Sequence, residues 1–153
     1  MAAKAKKKTK DPGDLYTLKV YPAGNSRSIY RVLEVCGSDT LDALCMAILE
    51  AYDFYHEHLY EFCMDNKMYS RNSYQYDPMD GGPSTNIPLD EIGLEKGQNF
   101  SLHYDFGDDW MFTIHVQKIG EAKEYTKAKV IKQKGEVQQY PDWDDDEDSE
   151  EDW

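Results

Sequence analysis

Residues 99–116 read NFSLHYDFGDDWMFTIHV, and the fold turns on how this stretch is parsed. Phe100, Leu102, Tyr104 and Phe106 recur with period 2, and so do Trp110, Phe112, Ile114 and Val116. Two such runs around Gly107-Asp108-Asp109 predict an antiparallel hairpin with one apolar face on each strand. A two-residue loop would set Phe106 opposite Asp109 and mismatch the faces. A three-residue loop instead predicts the pairs Phe106–Trp110, Tyr104–Phe112 and Leu102–Ile114. Each such pair contributes roughly 0.2–1 kcal/mol.

Working outward, Leu41, Leu44, Cys45, Ile48, Leu49 and Tyr52 follow helical spacing, a stripe that buries one face on a sheet. Ser38 or Asp39 is expected to cap this helix, and Asp42 suits its positive end. Before it, 15–22 and 27–36 predict a first hairpin across the turn cluster Ala23-Gly24-Asn25-Ser26. After it, His58 to Met64 reads as a strand. The stretch 70–84, rich in Asn, Asp, Pro and Gly, reads as a loop. Residues 87–94 predict a short helical turn, and Val130-Ile131 marks a weak last strand. The element order predicts an α+β domain of two layers, one main helix on a mostly antiparallel sheet, with a β-grasp-like outline. Residues 1–14 read as a disordered basic tail, 15–143 as the domain, and 144–153 as a disordered acidic tail.

Charge is unevenly spread. The chain carries a formal −13, with +3 in residues 1–14 and −9 in 142–152. An acidic body repels phosphate backbones, so nucleic acid is disfavoured as a partner and a basic protein or peptide surface fits better. Cys36, Cys45 and Cys63 lie in apolar stretches with no CxxC pair, and read as small buried residues of a cytoplasmic protein. No apolar run approaches the about 20 residues of a membrane span.

Three segments carry a family resemblance: Leu41-x-x-Leu44-x-x-x-Ile48, His58-Leu59-Tyr60-Glu61-Phe62, and Tyr104-Asp105-Phe106-Gly107-Asp108-Asp109-Trp110. In this order and spacing the chain resembles the plasmid Ri-type Orf-three-like domain family, which includes TnpR-like insertion-element passenger proteins. The resemblance spans about residues 15–143. The family frequently carries histidines where this chain has Cys45 and Phe112, so the resemblance implies no histidine-cluster chemistry here. It implies no particular reaction, and the chain lacks a recombinase's serine-nucleophile helix and basic DNA-binding segment.

The chemistry-bearing residues support a binding rim better than an active site. His58, Tyr60, Glu61, Tyr104, Asp105, Asp108, Asp109 and Trp110 form an acidic-aromatic set at one hairpin end, with Tyr69, Tyr74 and Tyr76 in the nearby loop. Tyr and Trp favour protein contacts, and the acids favour a basic ligand. Asp108 and Asp109 also suit turn geometry. His56 and His58 flank Glu57 but fall short of a metal-ligand set, and no metal or cofactor is expected. His103 and His115 are expected as diagonal neighbours on a solvated sheet face, and Glu61 and Asp105 as partners of Arg31. One alternative is an enzyme using Glu61, Asp105 and His58 as acid/base groups. Another is an acidic decoy for a nucleic-acid-binding surface.

Overall fold

The structure, a computed structural model, describes residues 11–78 and 81–140. The expected tails, apart from 11–14, and the closing segment 141–143 lie outside the described residues. Seven strands form one sheet in the order β4-β3-β5-β6-β1-β2-β7. The strands are β1 (Asp14–Pro22), β2 (Tyr30–Cys36), β3 (Tyr60–Cys63), β4 (Ser73–Gln75), β5 (Asn99–Tyr104), β6 (Trp110–Glu121) and β7 (Lys129–Lys134). The single α-helix among the described residues, α1 (Leu41–Ala51), follows β2, and a 3₁₀ turn covers Leu89–Glu91. Every ladder is antiparallel, so the chain is an α+β domain.

Period-2 alternation gives each central strand one core side. Leu18, Leu33, Phe62, Leu102, Phe112 and Ile114 join Leu41, Leu44, Ile48 and Leu49 of α1 in one buried cluster. Full burial of such side chains stabilises by about 1.5–3 kcal/mol each. Cys36, Cys45 and Cys63 are buried and unpaired.

Thr40, rather than Ser38 or Asp39, caps α1. Its extended backbone lets Oγ1 accept from the Ala43 N–H at 3.1 Å. The last turn of α1 holds no basic residue. Arg31, reaching over from β2, donates from Nε to the Ala51 carbonyl at 3.0 Å and supplies the missing cation.

The β5–β6 hairpin keeps its predicted faces but not its predicted register. Tyr104 pairs with Trp110, Leu102 with Phe112 and Phe100 with Ile114. The loop therefore spans 105–109, two residues longer, and Phe106 leaves the sheet. Aspartate chemistry is the cause. Asp105 and Asp109 adopt φ of 70° and 52°, the left-handed region that Asp tolerates better than most residues. Asp105 Oδ1 accepts from the Gly107 and Asp108 N–H groups, and its carbonyl accepts from the Asp109 N–H at 2.6 Å. A slip of two preserves side-chain parity, which is why the face assignment survived.

The stretch 70–84 hides the edge strand β4, which pairs Gln75 with Glu61 and Ser73 with Cys63. Three residues among turn formers leave no visible period.

Candidate functional site

The paired strands β3 and β5 place the predicted rim residues on two sides of the sheet. Tyr60 and Tyr104 share the core side, and Glu61 and His103 share the other, with Tyr60↔Tyr104 and Glu61↔His103 as direct partners.

On the core side, Met46 and Leu49 of α1, His56 to Tyr60, Tyr76 and Tyr104 line a cleft of about 270 Å³. Tyr76 is 45% exposed and stacks on Tyr60 with ring centroids 4.9 Å apart. The Tyr60 hydroxyl donates to Asp42 Oδ1 at 2.6 Å, and Thr85 Oγ1 donates to the same oxygen. Burial, then the bond to Asp42, raises the Tyr60 phenol well above its ordinary value. The Tyr104 hydroxyl accepts from the N–H groups of Glu57 at 2.9 Å and His58 at 3.2 Å, and donates to the Tyr55 carbonyl. His58 Nε2 lies 2.9 Å from the Tyr140 hydroxyl, 3.5 Å from Asp105 Oδ2 and 3.8 Å from Glu57 Oε2. His58, Tyr60, Tyr104 and Asp105 are thus brought together.

Glu61 and Asp109 belong to a different constellation, centred on a residue that sequence reasoning assigned to solvent. His103 is fully buried, with Glu61 Oε2 2.7 Å from Nδ1 and Asp109 Oδ1 2.7 Å from Nε2. Each ring nitrogen thus faces a carboxylate oxygen. Glu61 also accepts from Gln75 Nε2 at 2.7 Å and the Tyr69 N–H at 3.0 Å. Burial pushes the Glu61 carboxyl up, but the bonds from His103, Gln75 and Tyr69 outweigh it and hold it below the usual carboxylate range. The Tyr69 ring packs edge-on to His103 at 4.8 Å, and Phe106 covers it at 4.8 Å. Tyr69 holds φ of 56°, unusual for a bulky residue.

His103 and His115 are therefore not diagonal neighbours. His103 pairs with Met111, while His115 pairs with Asn99 and bonds its Oδ1 at 2.6 Å. Nor does Arg31 pair with Glu61 or Asp105. Three strands separate β2 from β3, and Arg31 instead lies over the Tyr52 ring at 4.4 Å. Trp110 is half-buried against Phe54, with centroids 4.9 Å apart, and Asp108 is exposed. The signal that would have found His103 is strand pairing: once β3 lies beside β5, parity sets it opposite Glu61 on a side shielded by the 64–70 connection.

Thiolate chemistry finds no support at Cys45 or Cys63. Burial pushes both thiols up, Cys63 to about 12 with Glu61 adding to the effect. Among the described residues no group of three or more His, Cys, Asp or Glu is arranged to hold a metal ion. No helix among them is long and apolar enough to cross a membrane.

Fold and site together define an α+β domain with an aromatic cleft on one side of its sheet and a carboxylate–histidine group around the buried His103 on the other. Residues 14–142 match the family described as plasmid pRiA4b ORF-3-like protein, and the chain belongs to that family. Its fold is similar to the crystal structure of a protein of unknown function, MM3350, from Methanosarcina mazei Go1, with TM-score 0.64 and 24% identity over 78% of this chain and 68% of that one. Among curated proteins none matches this chain.

Proposed function

We propose that this chain is a peptide- or protein-binding module whose aromatic cleft seats a basic side chain. The observation that carries this reading is the cleft wall. Tyr76 presents exposed ring surface, backed by the buried rings of Tyr60 and Tyr104, and Glu57 adds a carboxylate to the lining. A Lys or Arg side chain buries its stem against such rings and gains about 0.5–2 kcal/mol from the ring faces. Exposed Leu59, Met46 and Tyr76 flank the opening and offer adaptable apolar contact. In this reading the domain is a two-layer, β-grasp-like scaffold, with α1 and the cleft on one layer's side and the His103 group acting as a structural clamp behind it. The three unpaired thiols fit a reducing compartment such as the cytoplasm.

Binding is favoured over catalysis because the residues a catalytic reading needs do not converge. Glu61 faces away from His58 and Asp105, across β3.

The test uses fluorescence anisotropy with a labelled hexapeptide carrying two central lysines, beside the same peptide with glutamates in their place. The lysine peptide is expected to bind and the glutamate peptide not. Tyr76→Ala and Glu57→Gln should each weaken binding by about 3–30-fold. Equal binding of both peptides, or affinity indifferent to both substitutions, overturns the reading.

A further inference from the structure

A second, wider cleft adjoins the aromatic one. It measures about 600 Å³ and is lined by Arg31, Tyr52, Asp53, Gln133, Gln138 and Gln139 among others. Arg31 is 5% exposed, the one strongly buried cation on that lining. Its Nε bonds the Ala51 carbonyl, and its Nη1 bonds the carbonyls of Tyr30, Lys134 and Gly135 at 2.8–3.1 Å. No carboxylate pairs with it, and Nη2 holds no partner among the described residues. Buried charges are normally paired, so a guanidinium lining a wide cleft, held by backbone carbonyls and the Tyr52 ring without a carboxylate, is left with capacity for an anion. Asp53 and Glu136 also line the cleft, which disfavours a polyanion and fits a ligand bearing one carboxylate.

The two clefts share a boundary. Tyr140 lines the Arg31 cleft, stacks on Tyr55 with centroids 6.2 Å apart, and bonds His58, which lines the aromatic cleft. Resting on the peptide-binding reading above, we propose that Arg31 receives the C-terminal carboxylate of the bound peptide. Its basic side chain then lies across the Tyr55–Tyr140 divider, in the aromatic cleft. The ligand is thus a peptide end with a basic residue upstream, rather than an internal segment. Capture of a terminal carboxylate by a fixed donor is an established mode of peptide recognition.

The lysine hexapeptide is compared as free acid and as C-terminal amide. The free acid is expected to bind about tenfold tighter, the worth of one charge-assisted hydrogen bond. Equal affinity of acid and amide overturns this inference and leaves the basic-cleft reading standing. Binding of neither overturns both. Because Arg31 also ties α1 to β7, its loss threatens the fold. The exposed Gln138→Glu is the informative variant. It adds a negative charge to the lining of the Arg31 cleft, and should weaken the acid several-fold relative to the amide. Loss of both peptides in equal proportion in that variant would also overturn the assignment.

Discussion

On the two sides of the β3–β5 pair, the same strands treat polar groups in opposite ways. Behind the sheet, Glu61, His103 and Asp109 satisfy one another at 2.7 Å under a cover of Tyr69 and Phe106. In front, Tyr60, Tyr76 and Tyr104 use their hydroxyls or ring faces to wall a cleft. A closed constellation of titratable groups looks catalytic in composition, yet its donors and acceptors are already spent on each other. An open one looks bland in composition, yet keeps unused surface. Free capacity, more than residue type, separates a clamp from a site.

The sharpest way to break the comparison is His103→Ala. It leaves the Glu61 carboxylate buried without its main partner. Urea denaturation should show a loss of about 3–5 kcal/mol, the usual consequence of stranding one member of a buried pair. A loss below about 1 kcal/mol would mean that the group is not a clamp.

Acid titration of stability comes next. The Glu61 carboxyl lies below its ordinary 4.5, so the folded state releases this proton more readily than the unfolded state. Its stabilisation is complete above the ordinary carboxylate range and is lost as pH falls through the depressed folded value. Melting temperature followed from pH 7 downward should therefore fall less steeply for Glu61→Gln than for the parent chain. Parallel curves would refute the assignment.

Smaller effects belong to the open side. Tyr60→Phe deletes the donor to Asp42 while Thr85 still serves that oxygen, and should cost about 0.5–1.5 kcal/mol by chemical denaturation. Glu57→Gln should change stability by no more than about 0.5 kcal/mol, since the side chain is exposed, while still weakening the lysine peptide. A large stability change there would move Glu57 from the cleft's working surface into its scaffold.

Much of the architecture could be read from side-chain periodicity. The stripe from Leu41 to Tyr52 and the alternation from Phe100 to Val116 announce the helix and hairpin because burial imposes those periods directly. What escaped was decided by backbone rather than burial. The left-handed Asp105 and Asp109 lengthened the hairpin loop, and the extended backbone of Thr40 made it the cap. The three residues of β4 carried too short a pattern to stand out from their turn-forming neighbours. His103 was invisible for another reason. A histidine between apolar neighbours looks solvated until its cross-strand partner is known, and Glu61 sits 42 positions away. The expected rim residues are neighbours in sequence along two strands, but alternation deals neighbours to opposite sides, so Tyr60 and Glu61 part company.

The phenol of Tyr104 has a consequence that reaches beyond the strand bearing it. One oxygen ties down the 55–58 strip, gripping two amides and one carbonyl, and that strip is the party wall between the two hollows. Trading tyrosine for phenylalanine at this position would leave the ladders intact yet unpin the wall, so both chambers would lose their shape together. The geometry of each hollow therefore depends on the same hydroxyl.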